Sequence, residues 1–263
     1  MQPDHSETVA PVLEVNNLSV SRSGKVIIDD INLTINRGEF VGLVGPNGSG
    51  KSTLILSILG ILKAKTGTVR IYDFPPMSRN LIGKIGWVSQ AASNLKNEIR
   101  ITVEELVKLG TLNGKNMFLR NREEQKLLVN NAIEMVGLEP FRHTDVSRLS
   151  GGQRQRAVLA RALASNADFL LLDEPLVGID RNARNDLLKL LDNLCHDKGL
   201  TILMVSHDLT AIRQTAHRMI FLEEGIQYDG ASEEFPDLDQ LATLRGIKHV
   251  HHEHNHDHQK EGV

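Results

Sequence analysis

Phe40-Val41-Gly42-Leu43-Val44-Gly45-Pro46-Asn47-Gly48-Ser49-Gly50-Lys51-Ser52-Thr53 is the stretch on which the fold turns. The run Phe40–Val44 is short and carries no charged or hydrogen-bonding side chain, as expected of a strand buried on both faces in a parallel sheet. The glycines after it let the backbone curl, so that successive N–H groups converge on one point. Apolar residues at Leu54, Ile55, Ile58 and Leu59 then mark a helix of period 3.6, whose positive dipole end faces that point. Gly60 is placed to end it. Gly45 to Ser52 satisfies G-x-x-x-x-G-K-[ST] in full, in the strand-to-helix context that gives the pattern its meaning. Gly45, Pro46, Asn47, Gly48, Ser49 and Gly50 are the expected phosphate cradle. Lys51 is the expected charge on the β- and γ-phosphates of a nucleoside triphosphate. Ser52, with Thr53 beside it, offers a hydroxyl to Mg²⁺.

Upstream, residues 12–20 and 26–35 alternate apolar with polar, the pattern of half-buried antiparallel strands. Downstream, 67–72 and 85–89 read as strands, and the character turns helical from about 91 to 165. Thr102 to Glu105 forms a capping-box pattern, as does Ser150 to Gln153. Strands return at 169–172, 201–205 and 219–222, with a helix over about 183–195 between the first two. Strands alternating with helices imply a parallel sheet covered on both faces. The expected fold is therefore α/β: a P-loop core, a small antiparallel β subdomain and an inserted helical subdomain. The main unit spans 12–235, and an extension follows over 236–263.

Two further segments carry chemistry. Phe169-Leu170-Leu171-Leu172-Asp173-Glu174 is an apolar strand ending in two carboxylates, at the edge where ligands bind in open α/β sheets. Asp173 suits Mg²⁺; Glu174 suits orienting and deprotonating an attacking water. Leu149-Ser150-Gly151-Gly152-Gln153 places a hydroxyl and bare backbone amides at a helix start, a second anion site apart from the first.

These motifs, in this order, resemble the ATPase subunits of ABC transporters over about residues 12 to 230. The resemblance implies a head-to-tail dimer in which Ser150, Gly151, Gly152 and Gln153 close over the γ-phosphate on the other subunit's P-loop. It identifies Gln90 with the glutamine that senses Mg²⁺ and the attacking water. It identifies His207 with the switch histidine and Asp180, in Gly178-Ile179-Asp180, with the D-loop aspartate. ATP and Mg²⁺ are the implied cofactors. One departure stands out. The family places an aromatic residue near the end of the first strand pair to stack on adenine, and the matching stretch here, Ser19 to Gly24, has none. Arg22 offers a guanidinium plane in its place.

The formal net charge of −3 and an aromatic content of 4% argue against a nucleic-acid partner. One cysteine, Cys195, excludes an intrachain disulfide. No stretch approaches the ~20 apolar residues that span a bilayer, and the polar start lacks a signal-peptide layout. The expected location is the cytoplasmic face of the inner membrane, bound to a separate permease, with a metal-binding delivery protein as a further partner.

The cargo rests on two weaker features. Sequences like Leu176-Val177-Gly178-Ile179-Asp180 occur in ATPase subunits of zinc, manganese and iron importers. The tail interleaves His249, His251, His252, His254, His256 and His258 with Glu253 and Asp257, and imidazole suits zinc and its neighbours. Some zinc-importer ATPase subunits carry such a tail. Uptake of a divalent metal, zinc first, is the expectation. Another metal, an exporter, or a soluble ABC ATPase outside transport are the alternatives.

Overall fold

A computed structural model of the chain describes residues 10–90, 100–112 and 122–236. The sheet that decides the fold has six strands in the order β5-β6-β7-β3-β8-β9: β3 (Phe40–Val44), β5 (Ile85–Val88), β6 (Phe169–Asp173), β7 (Thr201–Val205), β8 (Arg218–Leu222) and β9 (Ile226–Ala231). The first five run parallel and β9 is antiparallel to β8. Every residue of β3, β6 and β7 is buried, which is why these strands read as continuous apolar runs rather than alternations.

The N-terminal strands behave differently. β1 (Pro11–Arg22) and β2 (Lys25–Asn36) form an antiparallel hairpin, and β4 (Thr66–Ile71) pairs with β1 to complete a three-stranded sheet. Its apolar face, with Val15, Leu18, Ile28, Ile31 and Ile35, packs with one face of the central sheet and with Leu54, Ile55 and Ile58 of α1 (Lys51–Ile58). The other face of the sheet packs on helices: α2 (Val103–Gly110), α3 (Arg122–Met135), α4 (Gly151–Leu163), α5 (Arg181–Lys198) and α6 (Leu209–Thr215). The α/β class, the antiparallel sheet and the helices within 100–165 follow the sequence reading. Part of that helical stretch, 91–99 and 113–121, lies outside the described residues, as does the tail from 237.

Both capping boxes form. Thr102 accepts from the Glu105 amide and Ser150 from the Gln153 amide, each answered by the reciprocal side-chain bond. The helix expected over about 183–195 is longer, because Asp180 caps it at the front and Gly199, in the left-handed region, ends it. Two elements had no sequence expectation, α6 and β9. The first is a seven-residue helix capped by Asp208; the second is an edge strand of mixed burial. No helix among the described residues is long and apolar enough to cross a membrane.

Candidate active site

The C-terminal ends of three parallel strands deliver the chemistry to one edge. β3 ends at Val44 and runs into the Gly45–Gly50 loop. β6 ends at Asp173, followed by Glu174. β7 ends at Val205, two residues before His207. Gln90 lies two residues beyond β5. A cavity of about 540 Å³ opens there, lined by Asn47, Gly48, Gly50, Lys51, Ser52, Thr53, Gln90, Glu174 and His207, with Arg22, Ile27, Val177 and Val205.

The loop conformation needs its glycines. Gly45 has φ 152°, and a Cβ there would fall 2.2 Å from the Leu222 carbonyl oxygen. Gly50, at φ 99°, caps α1 in the left-handed region and supplies no side-chain cap, so the first amides of the helix stay open to an anion. Lys51 is buried, and its Nζ donates to the carbonyls of Gly45 (2.9 Å) and Pro46 (2.8 Å). Burial pushes its pKa below the usual lysine value, against the pull of Glu174 and Asp173. The ammonium therefore spans the loop that would hold the phosphates.

Asp173 is buried too, and burial raises its carboxyl pKa above the usual range; a bond from Ser52 opposes the rise. The Ser52 Oγ to Asp173 Oδ1 distance is 3.5 Å. Ser52 and Gln90 line the cavity and Asp173 stands behind Ser52, and hydroxyl, amide and carboxylate oxygens are the donors that suit Mg²⁺. Ser49 Oγ is buried without a hydrogen-bond partner among the described residues. Glu174 sits at φ 54°, a left-handed conformation uncommon for a non-glycine residue. Its amide donates to Val205 O at 3.0 Å, and its Oε2 lies 2.8 Å from His207 Nδ1.

Ser150, Gly151, Gly152, Gln153 and Asp180 do not line this cavity. They form a second cluster. Gly151 and Gly152 leave room for the loop before α5 and for its first turn: a Cβ on Gly151 would lie 2.9 Å from the Gly178 carbonyl oxygen, and one on Gly152 would lie 2.5 Å from Ala183 Cβ. Asp180 accepts from the amides of Asn182 and Ala183, each at 3.0 Å. One chain thus carries a phosphate loop with two carboxylates and, elsewhere, a glycine-bearing helix start stacked on the Gly178–Asp180 turn.

Residues 28–177 match the ABC transporter family. The chain belongs to that family. As an ABC ATPase it binds and hydrolyses ATP. It is 34% identical over 224 residues to the zinc uptake system ATP-binding protein ZurA of Listeria innocua, covering 85% of this chain and 87% of ZurA. It is 40% identical over 202 residues to the high-affinity zinc uptake system ATP-binding protein ZnuC of Bacillus subtilis, covering 76% and 85%. Its structure is similar to that of cbiO1 of Clostridium perfringens, part of the ABC transporter complex cbiONQ (30% identity, TM-score 0.76, 85% of this chain and 90% of that one). It is also similar to the dimeric ATP-binding cassette MJ0796 bound to ADP and Pi (30% identity, TM-score 0.71, 85% and 100%).

The sequence reading missed Ile27, Val177 and Val205 as cavity residues. Nothing in a period-2 strand distinguishes Ile27 from its neighbours until the hairpin is folded over the loop. Arg22, singled out for its position, ends β1 on the same wall. The six tail histidines lie outside the described residues.

Proposed function

We propose that this ABC ATPase powers uptake of a divalent metal ion, zinc first, through a separate membrane permease. The observation that carries the site assignment is the convergence of Lys51, Ser52, Glu174 and His207 on one cavity, with Asp173 behind Ser52. The metal rests on relatives named for zinc uptake and on one named for manganese transport, from Halalkalibacterium halodurans, 37% identical over 214 residues.

In this reading the Gly45–Gly50 amides and Lys51 hold the ATP phosphates. Ser52, Asp173 and Gln90 hold Mg²⁺, which when bound offsets phosphate charge. Arg22 and Ile27 flank the base, the guanidinium plane standing where the family has an aromatic ring. Glu174 takes the proton of the attacking water. His207 fixes that carboxylate and faces the γ-phosphate. The chemistry is positioning and electrostatics around an in-line attack. Two copies join head to tail, so that Ser150 to Gln153 of one close over the phosphate of the other. The ATPase unit spans about 12–235, sits on the cytoplasmic face of the membrane beside its permease, and works with a metal-delivery protein outside. The histidine tail loads with cytosolic metal and slows turnover.

Uptake of labelled Zn²⁺, Mn²⁺ and Fe²⁺ in cells with and without this chain and its permease tests the cargo. Zinc uptake should depend on the chain and on Lys51; uptake indifferent to both rejects the reading. Deletion of 249–263 should remove zinc inhibition of ATPase activity in the assembled transporter. Equal inhibition without the tail rejects its regulatory role.

A further inference from the structure

Asp192, His196 and His217 meet at the edge of the sheet opposite the ATP cavity, at the N-terminal ends of the parallel strands. Asp192 and His196 are four apart on α5, hence on one face of the helix. His196 Nδ1 lies 3.2 Å from Asp192 Oδ1. His217 comes from the turn before β8, and its ring meets that of His196 edge to face, with centroids 4.9 Å apart. One ligand atom of each residue lies within 4.8 Å of the others. We propose that these three residues form a zinc site distinct from the nucleotide centre. Two imidazoles and one carboxylate are ligands that zinc takes, and three protein ligands leave a position for water.

His196 is ready as it stands. Its Nδ1 faces two acceptors, the Asp192 carbonyl oxygen and Oδ1, each at 3.2 Å. Nδ1 and Oδ1 stand as far apart as two ligands of one tetrahedral zinc, and an ion bound at Nδ1 leaves the ring proton on Nε2. His217 has to turn. Its Nδ1 accepts from the Phe40 amide at 3.2 Å, so the neutral ring carries its proton on Nε2. A turn of the ring that releases this bond frees a nitrogen for the ion. His217 is exposed, so packing does not oppose the turn.

That turn has a consequence. Phe40 is fully buried, and its amide loses its acceptor. A buried donor left unpaired weakens binding by about ten- to a hundredfold relative to a preformed site. Phe40 is also the first residue of β3, the strand that runs into the phosphate loop. Zinc at this cluster is therefore felt at the root of that strand. Cys195, next to His196, is not a ligand, because its thiol donates to the Gly38 carbonyl at 3.2 Å.

The test uses the full chain with all six tail histidines replaced by Asn, so that the tail does not compete. Zn²⁺ is titrated against a chromophoric chelator. One zinc per chain is expected, with affinity reduced at least tenfold by His196→Asn and by His217→Asn, and reduced by Asp192→Asn. The Phe40 amide resonance should shift on zinc addition and stay put in the His217→Asn chain. No zinc bound in competition with the chelator overturns the site. So does an affinity that His217→Asn leaves unchanged, because zinc would then sit on the helix pair alone.

Discussion

His207 Nδ1 and Glu174 Oε2 are 2.8 Å apart, joining the loop after β7 to the loop after β6. The carboxylate is nearly buried and the imidazole largely open, at 12% and 63% side-chain exposure. With the carboxylate ionised, the ring proton sits on Nδ1 and donates to it. The ring then fixes Glu174 while its second oxygen stays available to a water. Glu174→Gln keeps the shape but not the basicity. It should lower kcat by about 10² to 10⁴, the usual range for a general base, while ATP binding persists. His207→Ala should also lower kcat. Phosphate release and nucleotide titration on the same preparations check both, and near-normal turnover in Glu174→Gln would remove Glu174 as the base.

Asp173 makes the site costly to the empty fold. Its folded pKa is raised by burial, so the native state disfavours the charge that the unfolded chain carries freely. The penalty is absent below the unfolded carboxyl pKa, where both states are protonated. It grows as pH rises through the raised folded value, and is complete above it. Asp173→Asn should therefore raise the melting temperature of the nucleotide-free protein at pH 7, with the gain shrinking toward pH 4. The same variant should lose Mg²⁺-dependent ATPase activity. A melting temperature that falls at pH 7 would show that the ionised carboxylate stabilises the fold instead.

Much of this site is legible in the sequence because its parts are local. The cradle from Gly45 to Ser52 is one continuous turn, and the Ser150–Gln153 box spans a single helical turn. Asp173 and Glu174 announce themselves as charges ending an apolar strand. Ile27 does not, because its role depends on β2 folding over a loop some twenty residues away. Nor does the pairing of His207 with Glu174, which depends on β6 and β7 being neighbours. Helix α6 is too short to show a period, and β9 carries Tyr228 and Ile226 amid polar residues at the sheet edge. For both, tertiary packing supplies what the local pattern lacks.

Gly45 is a position where one methyl group should matter. The added Cβ would lie 2.2 Å from Leu222 O and 3.0 Å from Ser49 Oγ. The first contact is with backbone of β8 and cannot be relieved by a side-chain rotation. With φ at 152°, Gly45→Ala also adds strain of order 1–3 kcal/mol. The variant should melt lower and bind ATP more weakly than Gly48→Ala, whose added Cβ meets nothing within 4 Å though its φ of 85° is also positive. Differential scanning fluorimetry with and without ATP compares the two. Equal losses would mean that φ alone, rather than the contact with Leu222, sets the requirement.

Ser150 allows the helix cap to be separated from the phosphate contact. Its Oγ accepts from the Gln153 amide at 3.2 Å, and the Ser150 amide donates to Gln153 Oε1 at 3.0 Å. A hydroxyl that accepts one bond still has its own proton to donate, so capping α4 and binding a phosphate are compatible. Ser150→Ala removes both and should cost about 1 kcal/mol of stability, with ATPase activity lost as well. Ser150→Asp keeps a good N-cap and favours the helix dipole, but sets a carboxylate against the γ-phosphate of the opposite subunit. It should match the parent in melting temperature and still fail to hydrolyse ATP or to form an ATP-bound dimer on gel filtration in the Glu174→Gln background. An active Ser150→Asp chain would mean that the hydroxyl only caps its helix, and that the second anion site lies elsewhere.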